Sequence, residues 1–165
     1  MAEKERPMRR SECEVTDQGT IEHILQRATV CHVAMVDGGE PYVIPMNCGW
    51  DSGHLLLHSA AQGRKIDILR ANPHVCVEIE EDVQRITGRT GEDCTENYVT
   101  IIGSGTASFV VEPVAKSRDL NIIARHCHAG FPEETFTQET LERVAVIAVS
   151  FDWLTCKAKG MTPRP

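Results

Sequence analysis

The chain opens with an amphipathic segment that is followed by two runs with strand character. Within Thr16–Ala28, apolar residues recur at the spacing of one helical face, which predicts a helix. The runs Val30–Val36 and Tyr42–Asn47 are short and apolar, and Asp37-Gly38-Gly39 between them supplies residues that tolerate positive φ in a tight turn. The pattern therefore predicts a helix and then a β-hairpin.

Pro45 interrupts the second strand of this hairpin. Proline has no backbone N–H, so it fits poorly in the middle of a strand that is paired on both sides. Pro45 is therefore predicted to lie on a sheet edge, at a bulge, or in an unpaired stretch that faces a ligand.

After the hairpin the chain is predicted to form a short strand, a short helix and a further strand. A third strand, Leu55–Leu57, ends at His58-Ser59, and a short helix is predicted over Gly63–Arg70. This helix must stop before Asn72-Pro73, because the residue that precedes a proline is pushed out of the α region. His74–Glu80 then alternates apolar and polar residues, as a half-buried strand does.

The segment Asp82–Asn97 is polar and lacks a stable period, which predicts a loop, either mobile or ordered by a partner. A long strand is predicted over Tyr98–Val111. Within it, Gly103 and Gly105 predict a bend or bulge of the kind that lets a small barrel close.

The C-terminal part of the chain predicts two helices and a last strand. Pro113 suits the first turn of a helix that ends near Gly130, and a further short helix is predicted over Thr137–Arg143. The nearly continuous apolar run Val144–Phe151 is what a strand buried on both faces needs.

The bulk composition suits one domain over residues 1–165, with residues 1–10 expected to be flexible. The 165 residues are 41% hydrophobic and 25% charged, with a net charge of -7, which disfavours a nucleic-acid binder. No apolar run approaches the ~20 residues that cross a bilayer, and no signal-peptide core follows the charged start. A cytoplasmic protein that binds neither nucleic acid nor membrane is expected.

The cysteines and histidines do not form a metal motif. The seven cysteines have irregular spacing and no CxxC pair, so reduced thiols are expected, with Cys31 and Cys76 buried as small hydrophobes in apolar runs. His126-Cys127-His128 suggests a metal at first sight. Adjacent residues at a helix end point in different directions, however, and no further ligand stands at suitable spacing, so no metal is predicted.

An anion-binding pattern lies where the third strand meets the following helix. His58-Ser59 is followed by the small residues Ala60 and Ala61 and then by Gly63-Arg64-Lys65. Helix N-terminal N–H groups, a serine hydroxyl and two cationic side chains together suit a phosphate. The alternative is that Arg64 and Lys65 are solvated first-turn residues of an ordinary helix.

The order of these segments resembles the FMN-binding split β-barrels of the pyridoxamine-5'-phosphate-oxidase-like superfamily, and within it the nitroimidazole-resistance (Nim) branch. The resembling segments span most of the chain: Met8-Arg9-Arg10, Ala34-Met35-Val36, Pro41–Asn47, His58-Ser59-Ala60, Gly63–Asp67 and Ile102–Ala107. The resemblance implies a mainly β, α+β fold, a split barrel with flanking helices. It also implies a homodimer with FMN sites at its interface.

The resemblance further implies roles for individual residues. Arg64 and Lys65 would bind the FMN phosphate, with Gly63 at the helix start and Ser59 and Ala60 beside it. The strand residues that would line the isoalloxazine ring, through backbone amides and carbonyls, are Val43, Ile44, Pro45, Met46 and Asn47.

Two further residues, His58 and Trp153, each allow two interpretations. His58 matches the histidine that Nim proteins place near their active centre, which implies a redox-site role; the alternative is a strand-end histidine that caps the strand or fills space. Trp153 follows the last predicted strand and is a candidate to cover a cofactor of the second protomer; the alternative is an ordinary core or interface tryptophan.

The function implied is an FMN-dependent oxidoreductase that reduces a small electron acceptor, such as a nitroaromatic. Pyridoxamine-phosphate oxidase activity itself is not expected, because the arginine- and histidine-bearing segment of those enzymes is missing after Trp153. The alternatives are a flavin- or haem-binding carrier or redox sensor without turnover, and a barrel that binds no cofactor.

Overall fold

The computed structural model describes residues 7–160. Its strands are β1 (Glu14–Val15), β2 (Val30–Asp37), β3 (Glu40–Asp51), β4 (His54–Ala60), β5 (His74–Ile86), β6 (Thr95–Val110) and β7 (Val144–Lys159). Its helices are α1 (Gln18–Arg27), α2 (Arg64–Ala71), α3 (Pro113–Cys127) and α4 (Gln138–Arg143), preceded by a 3-10 turn at Ser11–Cys13. The predicted mainly β, α+β class is confirmed.

The strands form one antiparallel sheet that closes on itself. Their order is β1-β7-β4-β3-β2-β5-β6, and β6 also pairs with β7, which closes the barrel. β1 lies beside the end of β7, where Glu14 is opposite Lys157. The predicted barrel is therefore present; its strands carry Val43–Asn47 and His58–Ala60, and Gly63–Lys65 lie at the start of α2.

Strand alternation fills the interior of the barrel with apolar side chains. Val75, Val77 and Ile79 of β5 are all buried, as their period-2 spacing predicts, and Cys31 of β2 is buried as well. Cys76, in contrast, is exposed. The prediction that Cys76 is buried was wrong, because this residue alternates with the inward-facing ones and so faces the outside of the barrel.

Helices α1 and α2 add apolar side chains to the same core. The Asp17 carboxylate accepts a hydrogen bond from the Thr20 N–H at 2.8 Å and so begins α1, which confirms the predicted helix within Thr16–Ala28. The buried residues contributed by the two helices are Ile21, Ile24, Leu25, Ile66, Ile68 and Leu69.

Helices α3 and α4 cover one side of the barrel. Leu120 of α3 and Leu141 of α4 pack on Val146, which faces outward from β7. Gly49 of β3 lets α3 approach closely, since a Cβ there would lie 3.2 Å from the Cα of Ile123. This helical layer also forms one wall of a cavity.

The two glycines of β6 lie at a bulge, as predicted. The register between β6 and β7 shifts after Ser104, which is opposite Trp153, whereas Gly105 is opposite Phe151. A Cβ on Gly103 would lie 2.7 Å from the Phe151 ring. Small residues are thus required where the closing strands press together.

Half of the predicted loop Asp82–Asn97 is strand. β5 continues to Ile86 and β6 begins at Thr95, so the two strands extend a hairpin beyond the barrel, with a register shift between Glu81 and Gln84. Most side chains of this extension are exposed on both faces, so it has no apolar period that would reveal strands. The connection between the strands is correspondingly shorter than predicted.

The C-terminal end of the described chain differs from expectation in one respect. β7 continues to Lys159, so Trp153 lies within this strand and does not follow it. Residues 1–10 are predicted to be flexible, and the first six of them lie outside the described residues.

All seven cysteines are free thiols. None of the helices within residues 7–160 combines the length and apolar character needed to span a bilayer.

Candidate functional site

Strands β3 and β4 separate from each other halfway along their length. They pair from Cys48 opposite Leu57 to Asp51 opposite His54, and this pairing does not extend to Asn47 and His58. Beyond that point β3 pairs only with β2, and β4 continues only with β7. A gap therefore opens in the barrel wall between residues 40–47 of β3 and residues 58–60 of β4.

The backbone of β3 offers hydrogen-bonding groups to this gap. The N–H of Cys48 donates to the carbonyl of Thr29 on the β2 side at 3.1 Å. Because antiparallel strands direct alternate residues to opposite sides, the backbone groups of Val43, Pro45 and Asn47 face the gap. Pro45 consequently costs no sheet hydrogen bond, and the first of its predicted settings, a sheet edge, is the one observed.

The start of α2 lies at the end of the gap. Gly63 precedes the helix with a φ of 118°, a conformation open to glycine, and no side chain caps the helix start. The first backbone bond of this turn runs from the Ile66 N–H to the Gly63 carbonyl at 2.9 Å, so the N–H groups of Arg64 and Lys65 precede it. These groups and the cationic side chains form an electropositive corner.

Ser59 and Ala60 join β4 to this corner. Ser59 is buried, and its hydroxyl donates to the Ala60 carbonyl at 2.8 Å. Ala60 is exposed. The predicted strand end and helix start are thus separated only by the short turn that the small residues permit.

The Arg64 side chain is directed at the β2–β3 hairpin. Its Nε donates to the Asp37 carboxylate at 2.8 Å, and its guanidinium carbon lies 4.4 Å from the centre of the Tyr42 ring. It lines a recess of about 550 Å³ beside the Gly38-Gly39 turn. The Lys65 charge also acts at this corner, since it contributes to lowering the pKa of His58.

Asp37 would compete with a bound phosphate for the charge of Arg64. The Arg64 and Asp37 side chains are 58% and 43% exposed, and exposed pairs of this kind contribute up to about 1 kcal/mol. If this corner holds the FMN phosphate, as the resemblance implies, Asp37→Asn should tighten FMN binding by up to about fivefold, as measured by titration of the apoprotein at low salt. A weaker affinity in the variant would instead assign Asp37 to holding Arg64 in its binding position.

His58 stands on the other side of the gap from Asn47. Burial of the ring, with a smaller contribution from the Lys65 charge, lowers the pKa of His58. His58 and Asn47 both line a cavity of about 460 Å³ between the barrel and α3. The neutral imidazole is therefore favoured at this position, at the junction of the gap and the cavity.

Trp153 lies far from these residues within one chain. Residues directly opposite each other share a face of a sheet, and an unbroken row of such pairs joins Val43 to Trp153 on the outer face, through Ala34, Cys76 and Ser104. Four strand spacings of about 4.8 Å place Trp153 about 19 Å from Val43 along this face. One chain therefore cannot bring Trp153 to the gap.

The His126-Cys127-His128 side chains diverge. His126 Nε2 lies 2.7 Å from the Ala28 carbonyl, Cys127 Sγ is directed at the Cys48 carbonyl, and His128 lines the cavity. Within residues 7–160 no group of three or more His, Cys, Asp or Glu side chains is arranged to hold a metal ion.

Sequence reasoning missed two features of the site. Asp37 was read only as a turn residue, although it is the partner of Arg64, and no local pattern links residues that far apart. The cavity walls from α3 and the following segment were also missed. Phe131 and Phe136, in a region without periodicity, were the available signal.

Comparison with known proteins supports the sequence-based assignment. The family model described as pyridoxamine 5'-phosphate oxidase matches residues 17–158. No curated protein sequence matches the chain.

Three solved structures illustrate the likeness. A candidate 5-nitroimidazole antibiotic resistance protein from Bacteroides thetaiotaomicron is 28% identical, with a TM-score of 0.77 over 88% of this chain and 86% of that one. A flavocytochrome from Azotobacter vinelandii is 18% identical, with a TM-score of 0.82 over 97% and 75%. An FAD and haem binding protein from Mycobacterium smegmatis is 17% identical, with a TM-score of 0.80 over 92% and 76%.

The last two likenesses concern the fold alone, whereas the family match covers most of the chain. The closed barrel with its β3–β4 gap agrees with the split barrel that the sequence resemblance implied. The chain belongs to the pyridoxamine 5'-phosphate oxidase family.

Proposed function

We propose that this protein is an FMN-binding flavoprotein that holds its cofactor in the gap between β3 and β4 and reduces a small electron acceptor. The observation that carries the proposal is the open edge of β3, which faces a gap that ends at an uncapped, cationic helix start. A flat ring with polar edges and a terminal phosphate matches both features. Family membership is consistent with this cofactor.

Each part of FMN has a set of groups that suits it. The phosphate would be bound by the Arg64 and Lys65 side chains and the N–H groups at the Gly63 end of α2, with Ser59 and Ala60 beside it. The isoalloxazine edge would bond to the gap-facing backbone groups of Val43, Pro45 and Asn47, whereas those of Ile44 and Met46 are directed to β2. A strand with an unpaired edge is a suitable partner for such a ring, because its polar groups otherwise need water.

When bound, FMN would supply two-electron reduction chemistry, and the chain would supply binding, orientation and protons. A nitro group that takes up two electrons and two protons becomes a nitroso group and releases water. The likeness to the Bacteroides protein supports a nitroaromatic acceptor. His58, at the junction of gap and cavity, is placed to hold a proton for the acceptor.

The proton-donor role of His58 predicts a pH effect. The pKa of His58 is lowered, so its cationic form is populated only below about pH 6.5, its ordinary value. We expect reoxidation of the dithionite-reduced flavin by 4-nitrobenzyl alcohol to speed up as the pH falls through this lowered pKa. In His58→Gln, reoxidation should be roughly tenfold slower or more and independent of pH in this range.

FMN affinity in His58→Gln should stay within about twofold of wild type, because the proposed phosphate and ring contacts are unchanged. A wild-type rate and pH profile in this variant would remove His58 from the reaction. Retained FMN with no acceptor reduced in the wild-type protein would favour the alternative of a flavin carrier or redox sensor.

We also propose a homodimer formed through the outer face of the sheet. This outer face is defined here by the side chains of β2, β3, β5 and β6 that point out of the barrel, and its exposed apolar members are Val30, Val36, Val43 and Ile102. Large apolar side chains that are exposed on one face of a sheet are typical of a protein interface. A second copy on this face would also bring its Trp153 toward the β3 edge, where one chain alone cannot place it.

A further inference from the structure

A cavity of about 460 Å³ lies between the barrel and the helical layer, next to the proposed cofactor gap. Its walls are formed by β4, by α3 and by the segment that joins α3 to α4. The apolar lining residues are Leu120, Ile123, Ala124, Phe131, Phe136 and Val144. A volume of this size, with mostly apolar walls, is in the range of small-molecule sites.

Buried polar contacts fix the wall of the cavity. Asn121 is 2% exposed, and its side chain bonds to both the carbonyl and the N–H of Glu134 at 2.8 Å, and to the Ser117 carbonyl at 3.0 Å. Lys116 Nζ donates to the carbonyl of Val144 at 2.7 Å and to that of Leu141. The irregular segment that carries Phe131 and Phe136 is therefore held in place, and the cavity is preformed.

The polar end of the cavity coincides with the point where β3 and β4 separate. Asn47 and His58 line the cavity and also flank the gap. A ligand in the cavity would therefore touch the same two residues that border the proposed flavin. The cavity and the cofactor gap form one continuous site.

We propose that this cavity binds the electron acceptor, and that the acceptor is a planar, uncharged aromatic molecule with hydrogen-bond-accepting oxygen atoms at one end. This inference rests on the proposed flavin function. The two phenylalanine rings provide surfaces for an aromatic ring. The Asn47 amide and the neutral His58 ring provide donors for the oxygen atoms.

Charge around the cavity disfavours an anionic acceptor. Glu134 lines the cavity, and the whole chain carries a net charge of -7. Among the described residues the lining includes one acidic residue and no lysine or arginine, and the Lys65 charge that acts on His58 is assigned to the phosphate of FMN. Neutral nitroaromatics or quinones fit this set of groups better than aromatic acids.

The test uses calorimetric titration of the FMN-loaded protein with 4-nitrobenzyl alcohol. Benzyl alcohol, which lacks the acceptor oxygens of the nitro group, and 4-nitrobenzoate, which is anionic, serve as comparison probes. We expect 4-nitrobenzyl alcohol to bind at least tenfold more tightly than either. Equal binding of all three probes would overturn the proposed ligand class.

The location of the ligand is tested with Ala124→Trp, which fills the cavity from α3. Val114→Trp adds the same bulk to an exposed position of the same helix, outside the cavity, and is the matched control. Ala124→Trp should weaken probe binding at least tenfold and Val114→Trp should leave it unchanged, while FMN affinity stays the same in both. Wild-type probe affinity in Ala124→Trp, or an equal loss in Val114→Trp, would overturn the assignment.

A second variant covers the case in which Ala124→Trp does not fold. Phe131→Ala removes one aromatic wall and should weaken 4-nitrobenzyl alcohol binding by about three- to tenfold; no change would contradict the proposal. The same titrations on FMN-free protein separate two failures. Probe binding without any FMN binding would refute the proposed function and, with it, the role of the ligand as electron acceptor, whereas FMN binding without probe binding would refute the acceptor site only.

Discussion

Replacing Arg64 and Lys65 together by alanine is expected to weaken FMN binding by about a hundredfold. Charge-assisted contacts to a phosphate contribute about 1.5–3 kcal/mol each. Because Arg64 is exposed and bonded to Asp37, the Arg64 and Lys65 contacts together are expected to contribute about 3 kcal/mol, the lower end of the range for two such contacts. This free energy corresponds to about two powers of ten in affinity. Fluorescence titration of the apoprotein with FMN measures the effect.

The matched control for this variant removes the same charge elsewhere. Arg85 and Arg89 are exposed and lie in or next to the β5–β6 hairpin extension, beyond the barrel. Arg85→Ala combined with Arg89→Ala should leave FMN affinity within about twofold. The α2 core residues are unchanged in the test variant, so its thermal unfolding should resemble that of wild type. Unchanged FMN affinity in the Arg64→Ala and Lys65→Ala double variant would show that the phosphate binds elsewhere.

Ile102→Glu is expected to convert the proposed dimer into monomers. Ile102 is 42% exposed and lies near the middle of the outer face, in the row that runs from Pro45 through His32 and Glu78 to Thr155. A carboxylate there would be desolvated in the interface and would lie opposite the Glu78 side chain of its own sheet. We expect a loss of about 3 kcal/mol or more, so that the dimer dissociates about a hundredfold more readily.

Sedimentation analysis over a range of concentrations measures this change. Val111→Glu, at a position that is 82% exposed and lies beyond the end of β6, is the control and should leave the association state as in wild type. A wild-type protein that is monomeric at all concentrations would exclude the proposed dimer. A dimer unaffected by Ile102→Glu would place the interface on a different surface.

The sequence predicts those elements of the fold whose side chains are periodic. Helix α1 and strand β5 are visible because buried residues recur at 3.6 and 2.0 spacing, and Gly103 and Gly105 correctly indicate the bulge near the barrel closure. The β5–β6 extension is invisible because both of its faces meet solvent, so burial imposes no pattern on it. Cys76 faces outward because its neighbours Val75 and Val77 face inward. Sequence composition alone does not reveal which residues of a strand face inward.

The candidate site is predictable to the extent that its signals are local. Gly63-Arg64-Lys65 lies within one turn, and Pro45 lies within one strand, so both could be assigned from neighbouring residues. The Asp37–Arg64 pair and the cavity beside His58 depend on contacts between residues far apart in the chain. Such contacts are set by how the barrel closes, and single-sequence patterns do not encode that geometry directly.

The claim that FMN occupies the β3–β4 gap is tested most directly by the absorbance spectrum of the purified protein, recorded before and after addition of FMN and removal of the excess. The account predicts the double band of a flavin at close to one FMN per chain, with the bound flavin lost from the Arg64→Ala and Lys65→Ala double variant. The intense Soret band of haem in place of a flavin spectrum, or no chromophore retained after FMN addition, would contradict it.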